Sequence, residues 1–235
     1  PFCIDWGGTV LNVALALNDT YPIVTSVERL DDPIIRCVAG ESNQVAVFDS
    51  TEELLAPLGP GCPFSIARAV LQMLGIASAD EALEDTLTRL GGGLEIRTNV
   101  CLPMGSGLGT SSILGATALR AMTEMLGLPL SDHDLSDQVM CLEQQMTTGG
   151  GWQDQAGGIF PGAKLVRTGP GVRQRLRVEP LAWTPEREDE FSRRLVLYYT
   201  GFQRVAKDLL AQVVGSYLAR ETHTVQVLHS IKTLA

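Results

Sequence analysis

Apolar and polar residues alternate with a period of two over residues 21–27, 34–38 and 44–48, which predicts three β-strands. The opening, residues 2–16, reads the same way: Phe2-Cys3-Ile4-Asp5-Trp6, then Gly7-Gly8-Thr9-Val10-Leu11-Asn12 and onward. Asn18-Asp19 and Asp31-Asp32-Pro33 supply turns between these strands. The period then changes. Ile66, Val70 and Met73 fall at i, i+4, i+7 between Pro63 and Gly75, a helix, and residues 79–90 form a second, acidic helix stopped by Gly91-Gly92-Gly93. A β-rich run over 94–102 precedes a helix over 110–126, whose apolar face is Leu114, Ala118, Met122 and Met125. Ser131-Asp132-His133-Asp134 opens the next helix with a short-acid capping box, and Leu135, Val139, Leu142 and Met146 form its stripe. Strands are predicted around 163–167, 173–178 and 194–199, and helices near 203–218 and 221–234. The resulting order is an α+β pattern.

Composition changes this picture little. The 235 residues are 45% apolar and 19% charged, ordinary for a globular protein with a sizeable core. A net charge of −9 argues against a nucleic-acid or anionic-membrane surface, so any phosphate site must rely on backbone N–H groups and metal ions. Five scattered cysteines, Cys3, Cys37, Cys62, Cys101 and Cys141, fit a reduced, cytoplasmic compartment with neither a disulfide framework nor metal-ligand spacing. No membrane-length apolar run and no signal peptide is visible, and a start at Pro1 reads as a fragment.

The chemistry concentrates in two glycine-rich stretches. The first is Pro103-Met104-Gly105-Ser106-Gly107-Leu108-Gly109-Thr110-Ser111-Ser112, between a strand and a helix. Its glycines let backbone approach a ligand, and its hydroxyls open a helix whose N–H groups favour an anion. It has neither the Lys of a P-loop nor the sixth-place glycine of a dinucleotide fingerprint. A glycine turn with an ordinary Ser/Thr cap remains open. The second stretch, Thr147-Thr148-Gly149-Gly150-Gly151-Trp152-Gln153-Asp154-Gln155-Ala156-Gly157-Gly158, follows a helix that carries Glu143 at the edge of its buried face.

Phosphoryl transfer needs a phosphate cradle, a metal to neutralise charge and a group to take the proton of the attacking hydroxyl. Ser111 can offer a metal ligand, Glu143 a hard carboxylate oxygen, and Asp154, on the glycine loop, a general base. Taken singly, Ser111 also reads as a helix cap, Glu143 as a paired or snorkelling boundary residue, and Asp154 as a loop carboxylate bonding nearby amides.

Pro-x-Gly-x-Gly-Leu-Gly-(Ser/Thr)-Ser-Ser resembles the ATP-binding second motif of the GHMP kinases. That family often carries a metal-binding Glu eleven positions before a catalytic Asp, the separation of Glu143 and Asp154. Within the family, Gly105–Leu114 (Gly-Ser-Gly-Leu-Gly-Thr-Ser-Ser-Ile-Leu), Leu142-Glu143-Gln144 and the Trp152 stretch are similar to fucokinases. So are Phe160-Pro161-Gly162-x-Lys164 and Tyr199-Thr200-Gly201-x-x-Arg204.

The resemblance implies a GHMP α+β fold of two subdomains with the active site in their cleft. Residues 1–162 would be the ATP-binding subdomain and 163–235 the start of a truncated C-terminal one. It implies ATP and Mg²⁺ as cofactors, with Pro103, Gly105, Ser106, Gly107, Leu108, Gly109, Thr110, Ser111 and Ser112 on the nucleotide and Ser111 and Glu143 on the metal. Asp154 would be the catalytic base, while Gly149, Gly150, Gly151, Trp152 and Asp154 would meet the sugar, Trp152 against its apolar face or walling its pocket.

The implied activity is transfer of the ATP γ-phosphoryl group to L-fucose, giving fucose 1-phosphate for GDP-fucose salvage. The chain would belong to a larger one fused to a GDP-fucose pyrophosphorylase module. D-arabinose or manno-heptose-phosphate 1-kinases are the near alternatives, and a non-catalytic sugar or nucleotide sensor is the distant one. Two departures stand out. The family's first-motif acid is missing, and its absence is placed at the Trp6/Gly7 junction; the C-terminal Gly-Ala-Gly-Gly-Gly-Gly is absent as well.

Overall fold

The structure, a computed structural model, describes residues 2–16, 20–40, 42–58, 64–103, 106–146, 150–201 and 206–234. In chain order the elements are α1 (Phe2–Trp6), β1 (Gly8–Val13), β2 (Ile23–Leu30), β3 (Ile35–Ala39), β4 (Gln44–Phe48), α2 (Thr51–Leu55), α3 (Ser65–Met73) and α4 (Leu83–Leu90). They continue with β5 (Gly93–Val100), α5 (Thr110–Met125), α6 (Asp132–Gln145), α7 (Gln153–Ile159), β6 (Ala163–Thr168), β7 (Arg177–Pro180), α8 (Pro185–Arg194), α9 (Ala206–Leu218) and α10 (Thr222–Leu234). No helix among the described residues is long and apolar enough to cross a membrane. The expected turn at Asn18-Asp19 and the start of the helix near Gln203 lie outside the described residues.

The chain divides into two compact units. The first holds residues 1–15, 104–108 and 151–235; the second holds 16–103 and 109–150.

The second unit is built on a four-stranded sheet in the order β2-β5-β3-β4, in which only β3 and β5 run parallel. Ile35, Cys37, Leu94 and Ile96 are each at most 1% exposed and form the sheet side of the core. Helix α5 lies against β2, and α3 and α6 pack on α5, contributing Val70, Leu71, Leu119, Met122, Val139 and Leu142 to the buried interior. Gly91 stops α4 in the left-handed region at φ 87°, as a C-terminal cap requires. That helix starts at Leu83, because Ser78 and Asp80 first form a turn closed by the Ser78 hydroxyl. Helix α6 opens as expected: Ser131 accepts from the Asp134 amide at 3.1 Å and donates to its carboxylate at 2.6 Å. Helix α2 was absent from the periodicity. Its signal is Ser50 three positions before Glu53, whose amide Ser50 accepts at 3.4 Å.

The first unit holds an antiparallel sheet in the order β1-β6-β7. Residues 2–6, expected as strand, are the one-turn helix α1. Phe2 and Trp6 sit one helical turn apart and stack edge-on with Tyr217 of α9 and His229 of α10, at centroid distances of 4.8–5.7 Å. That aromatic packing outweighs the strand-like composition. Gly7 closes α1 in the left-handed region at φ 71°, donating to the Cys3 carbonyl at 2.8 Å, and leads directly into β1. A Cβ on Gly7 would overlap the Thr168 carbonyl oxygen.

Two further expectations are corrected. The strand around 173–178 begins only at Arg177. The strand at 194–199 does not form: Arg194 ends α8, whose Thr184 cap accepts from the Arg187 amide, and Leu195–Thr200 carry no regular structure. Val196 and Tyr198 are more than 80% exposed, and β-propensity without a ladder partner does not make a strand.

Candidate active site

In the second unit β5 ends beside β2, where the Cys101 amide donates to the Pro22 carbonyl at 2.8 Å. Gly109 stands at the N-cap of α5 with φ 70°, and no side chain among the described residues caps the helix. The first-turn N–H groups of α5 are therefore left for a ligand or water. The Thr110 hydroxyl is buried without a hydrogen-bond partner among the described residues, which in a native interior demands an explanation.

Ser111 is exposed, whereas Ser112 is 3% exposed and donates its hydroxyl to Glu143 Oε1. The contact follows from how α5 and α6 meet. A Cβ on Gly115 would stand 2.9 Å from Leu142 Cδ2 and 3.7 Å from Val139 Cγ1, so its absence lets α6 approach. Ser112 lies one turn before Gly115 on the same face of α5, and Glu143 directly follows Leu142. Glu143, 4% exposed, thus meets a hydroxyl at the mouth of the helix that the glycine loop opens. Its other oxygen faces Gly150, where a Cβ would overlap Oε2, and Gln144 holds the Gly150 carbonyl at 3.1 Å.

The first unit holds the remaining candidates. Ser106, Gly107 and Leu108 belong to it, Gly107 with φ 78° and Ser106 with a buried hydroxyl that has no partner among the described residues. Asp154, expected on a loop, occupies the first turn of the short helix α7, for which Trp152 is the N-cap. A loop reading of five glycines misses this because two of them, Gly157 and Gly158, sit inside the helix. Asp154 is exposed at its rim, yet partial burial raises its carboxyl above the usual carboxylate range. Trp152 is only 6% exposed and lies over Gly8, where a Cβ would stand 2.6 Å from Cζ2. Beside it, burial pushes the Cys3 thiol up.

Within one unit the fold brings together Ser112, Glu143 and Gly150; Trp152 and Asp154 are neighbours in the other. Gly105 and Gly149 lie outside the described residues. Sequence reasoning missed the hydroxyl that meets Glu143, since Ser111 and Ser112 differ only in helix rotation. Gly115, one turn on, was the available signal.

Residues 67–162 match the family described as GHMP kinases N terminal domain. Over 244 aligned residues, covering 100% of this chain and 25% of the relative, the chain is 36% identical to an L-fucokinase/L-fucose-1-P guanylyltransferase of Bacteroides fragilis. It is 34% identical over 235 residues to a bifunctional fucokinase/GDP-fucose pyrophosphorylase of Arabidopsis thaliana, covering 100% of this chain and 22% of that one. The chain thus spans about a quarter or less of these curated relatives. Among solved structures, a D-glycero-D-manno-heptose 1-phosphate kinase from Bacteriodes thetaiotaomicron superposes with a TM-score of 0.64 at 22% identity, covering 97% of this chain and 70% of that chain. The chain has the GHMP kinase fold, and its residues 67–162 form a GHMP kinase N-terminal domain.

Proposed function

We propose that the chain is the kinase part of an ATP-dependent sugar-1-kinase, with L-fucose as acceptor. The observation that carries this is the buried Ser112–Glu143 contact at the uncapped opening of α5. There backbone N–H groups, the Thr110 hydroxyl and a carboxylate lie in one unit, as phosphate and metal binding require. Two relatives named for fucokinase activity, each matched over 100% of this chain, support the choice of sugar.

In this reading the residues from Pro103 to Ser112 hold the nucleotide, and Asp154 takes the proton of the anomeric hydroxyl. That oxygen forms the new bond to the γ-phosphorus as the bond to the ADP oxygen breaks. The raised pKa of Asp154 suits a group that must accept a proton. Glu143 and the hydroxyls of Ser111 and Ser112 are hard oxygen donors, a set that fits Mg²⁺. Among the described residues no cluster of three or more His, Cys, Asp or Glu could hold a metal, and Mg²⁺ in kinases needs only one or two carboxylates besides phosphate oxygens. When bound, the ion supplies neutralisation of phosphate charge. Fusion to a pyrophosphorylase module agrees with the short span of the fucokinase relatives that the chain matches.

A manno-heptose phosphate is the second acceptor to consider, because a D-glycero-alpha-D-manno-heptose 7-phosphate kinase of Campylobacter jejuni is 27% identical over 98% of this chain. The test is ATP-dependent phosphorylation by the purified full polypeptide across L-fucose, D-arabinose and a manno-heptose phosphate, with the product position read by phosphorus NMR. An anomeric phosphate on L-fucose is expected. Preference for another sugar moves the acceptor, and no transfer to any sugar, with ATP still bound, favours a sensor.

A further inference from the structure

Strands β1 and β6 place Asn12 directly opposite Lys164. The Asn12 amide donates to the Gln153 carbonyl at 3.1 Å, at the first residue of α7. The Lys164 ammonium donates at 3.1 Å to the Gly157 carbonyl, near the other end of α7, and at 3.1 Å to the Gly162 carbonyl, just before β6. One cross-strand pair therefore grips both ends of the helix that carries Asp154.

Lys164 is an unusual residue for this place. It is 0% exposed, and no ion pair among the described residues includes it. Burying an ammonium without a counter-ion is unfavourable, and burial lowers its pKa accordingly. A methionine would fill the space without that penalty. What an apolar residue could not do is satisfy carbonyls at the end of a helix, which have no partner inside it. A seven-residue helix has little stability of its own, so its orientation is decided by what holds it.

We infer that the Asn12–Lys164 rung is a positioning device that sets the depth and tilt of α7, and through them the place of the Asp154 carboxylate. The inference rests on the kinase reading above.

Lys164→Met and Asn12→Asp in the full polypeptide test it, the second turning a donor into a carboxylate that faces the Gln153 carbonyl. Misplacement of a reacting group by about an ångström costs up to roughly a hundredfold, so kcat should fall about 10- to 100-fold while the KM for ATP holds within about twofold. Amide exchange over 153–159 should quicken while that over β2 and β5 stays unchanged. The Tm of Lys164→Met should hold or rise, since removal of a buried charge offsets the lost hydrogen bonds. A kcat that merely follows the folded fraction measured by circular dichroism, or unchanged exchange over 153–159, overturns the inference. Should Lys164→Met fail to fold, Asn12→Asp, at a half-buried position, decides by the same two readouts. Absence of phosphoryl transfer in the unmodified protein would instead overturn the kinase reading, and the exchange measurement would still judge the rung.

Discussion

Asp154 sits in the first turn of α7 with its carboxyl partly desolvated, so the folded chain holds that proton more tightly than the unfolded chain does. The unfolded value is about 3.9. Stability therefore falls as pH rises from there through the raised folded value, and the penalty is complete above it. Asp154→Asn removes the penalty. Its Tm should exceed that of the unmodified protein at neutral pH, and the gap should close in acid, where the carboxyl is protonated in both states. A gap of equal size at both ends of the titration would show that desolvation is not its source. The same variant should lose about 10²- to 10⁴-fold in kcat if Asp154 is the base. Glu143 was legible in the sequence because a carboxylate four positions after Val139 and beside Leu142 has to point towards buried surface. Its partner was not legible. The choice between Ser111 and Ser112 depends on how far α5 is turned against α6, which is set by a tertiary contact.

Elements were legible wherever one face is buried and the other wet. Strands β3 and β4 and helices α3, α5 and α6 follow their period to within a few residues. The failures share a cause: local pattern met a partner that sequence does not specify. Phe2 and Trp6 found an aromatic cluster, and Leu195–Tyr199 found no strand to pair with. The same dependence makes Gly115 the element-scale lever on the site. Gly115→Leu should force α6 away from α5, parting Ser112 from Glu143, and overpacking of this kind costs about 1–3 kcal/mol. The Mg²⁺ concentration for half-maximal rate should rise more than the KM for sugar. Equal changes in both, or none, would separate Glu143 from the metal.

At the scale of the whole molecule, the chain passes between its two units four times, at 15/16, 103/104, 108/109 and 150/151. Nothing in the composition or the periodicity announces this. The second unit is complete at residue 150, and its central β3–β5 and β2–β5 pairings close shorter loops than β1–β6. In the first unit Gly8 pairs with Thr168 and Val13 with Ala163. Closure of so long a loop is slow, so pulse-labelled exchange during refolding should protect β2 and β5 before β1 and β6. Simultaneous protection would mean that the two units fold as one. A consequence concerns the chain as it is being made. From Val13 to Ala163 is 150 residues, which at the usual pace of synthesis is on the order of ten to thirty seconds. For that interval Gly8–Val13 has not yet met Ala163–Thr168, the strand it pairs with in the folded unit, and unpaired strand edges of this kind are what cellular chaperones shield from other copies.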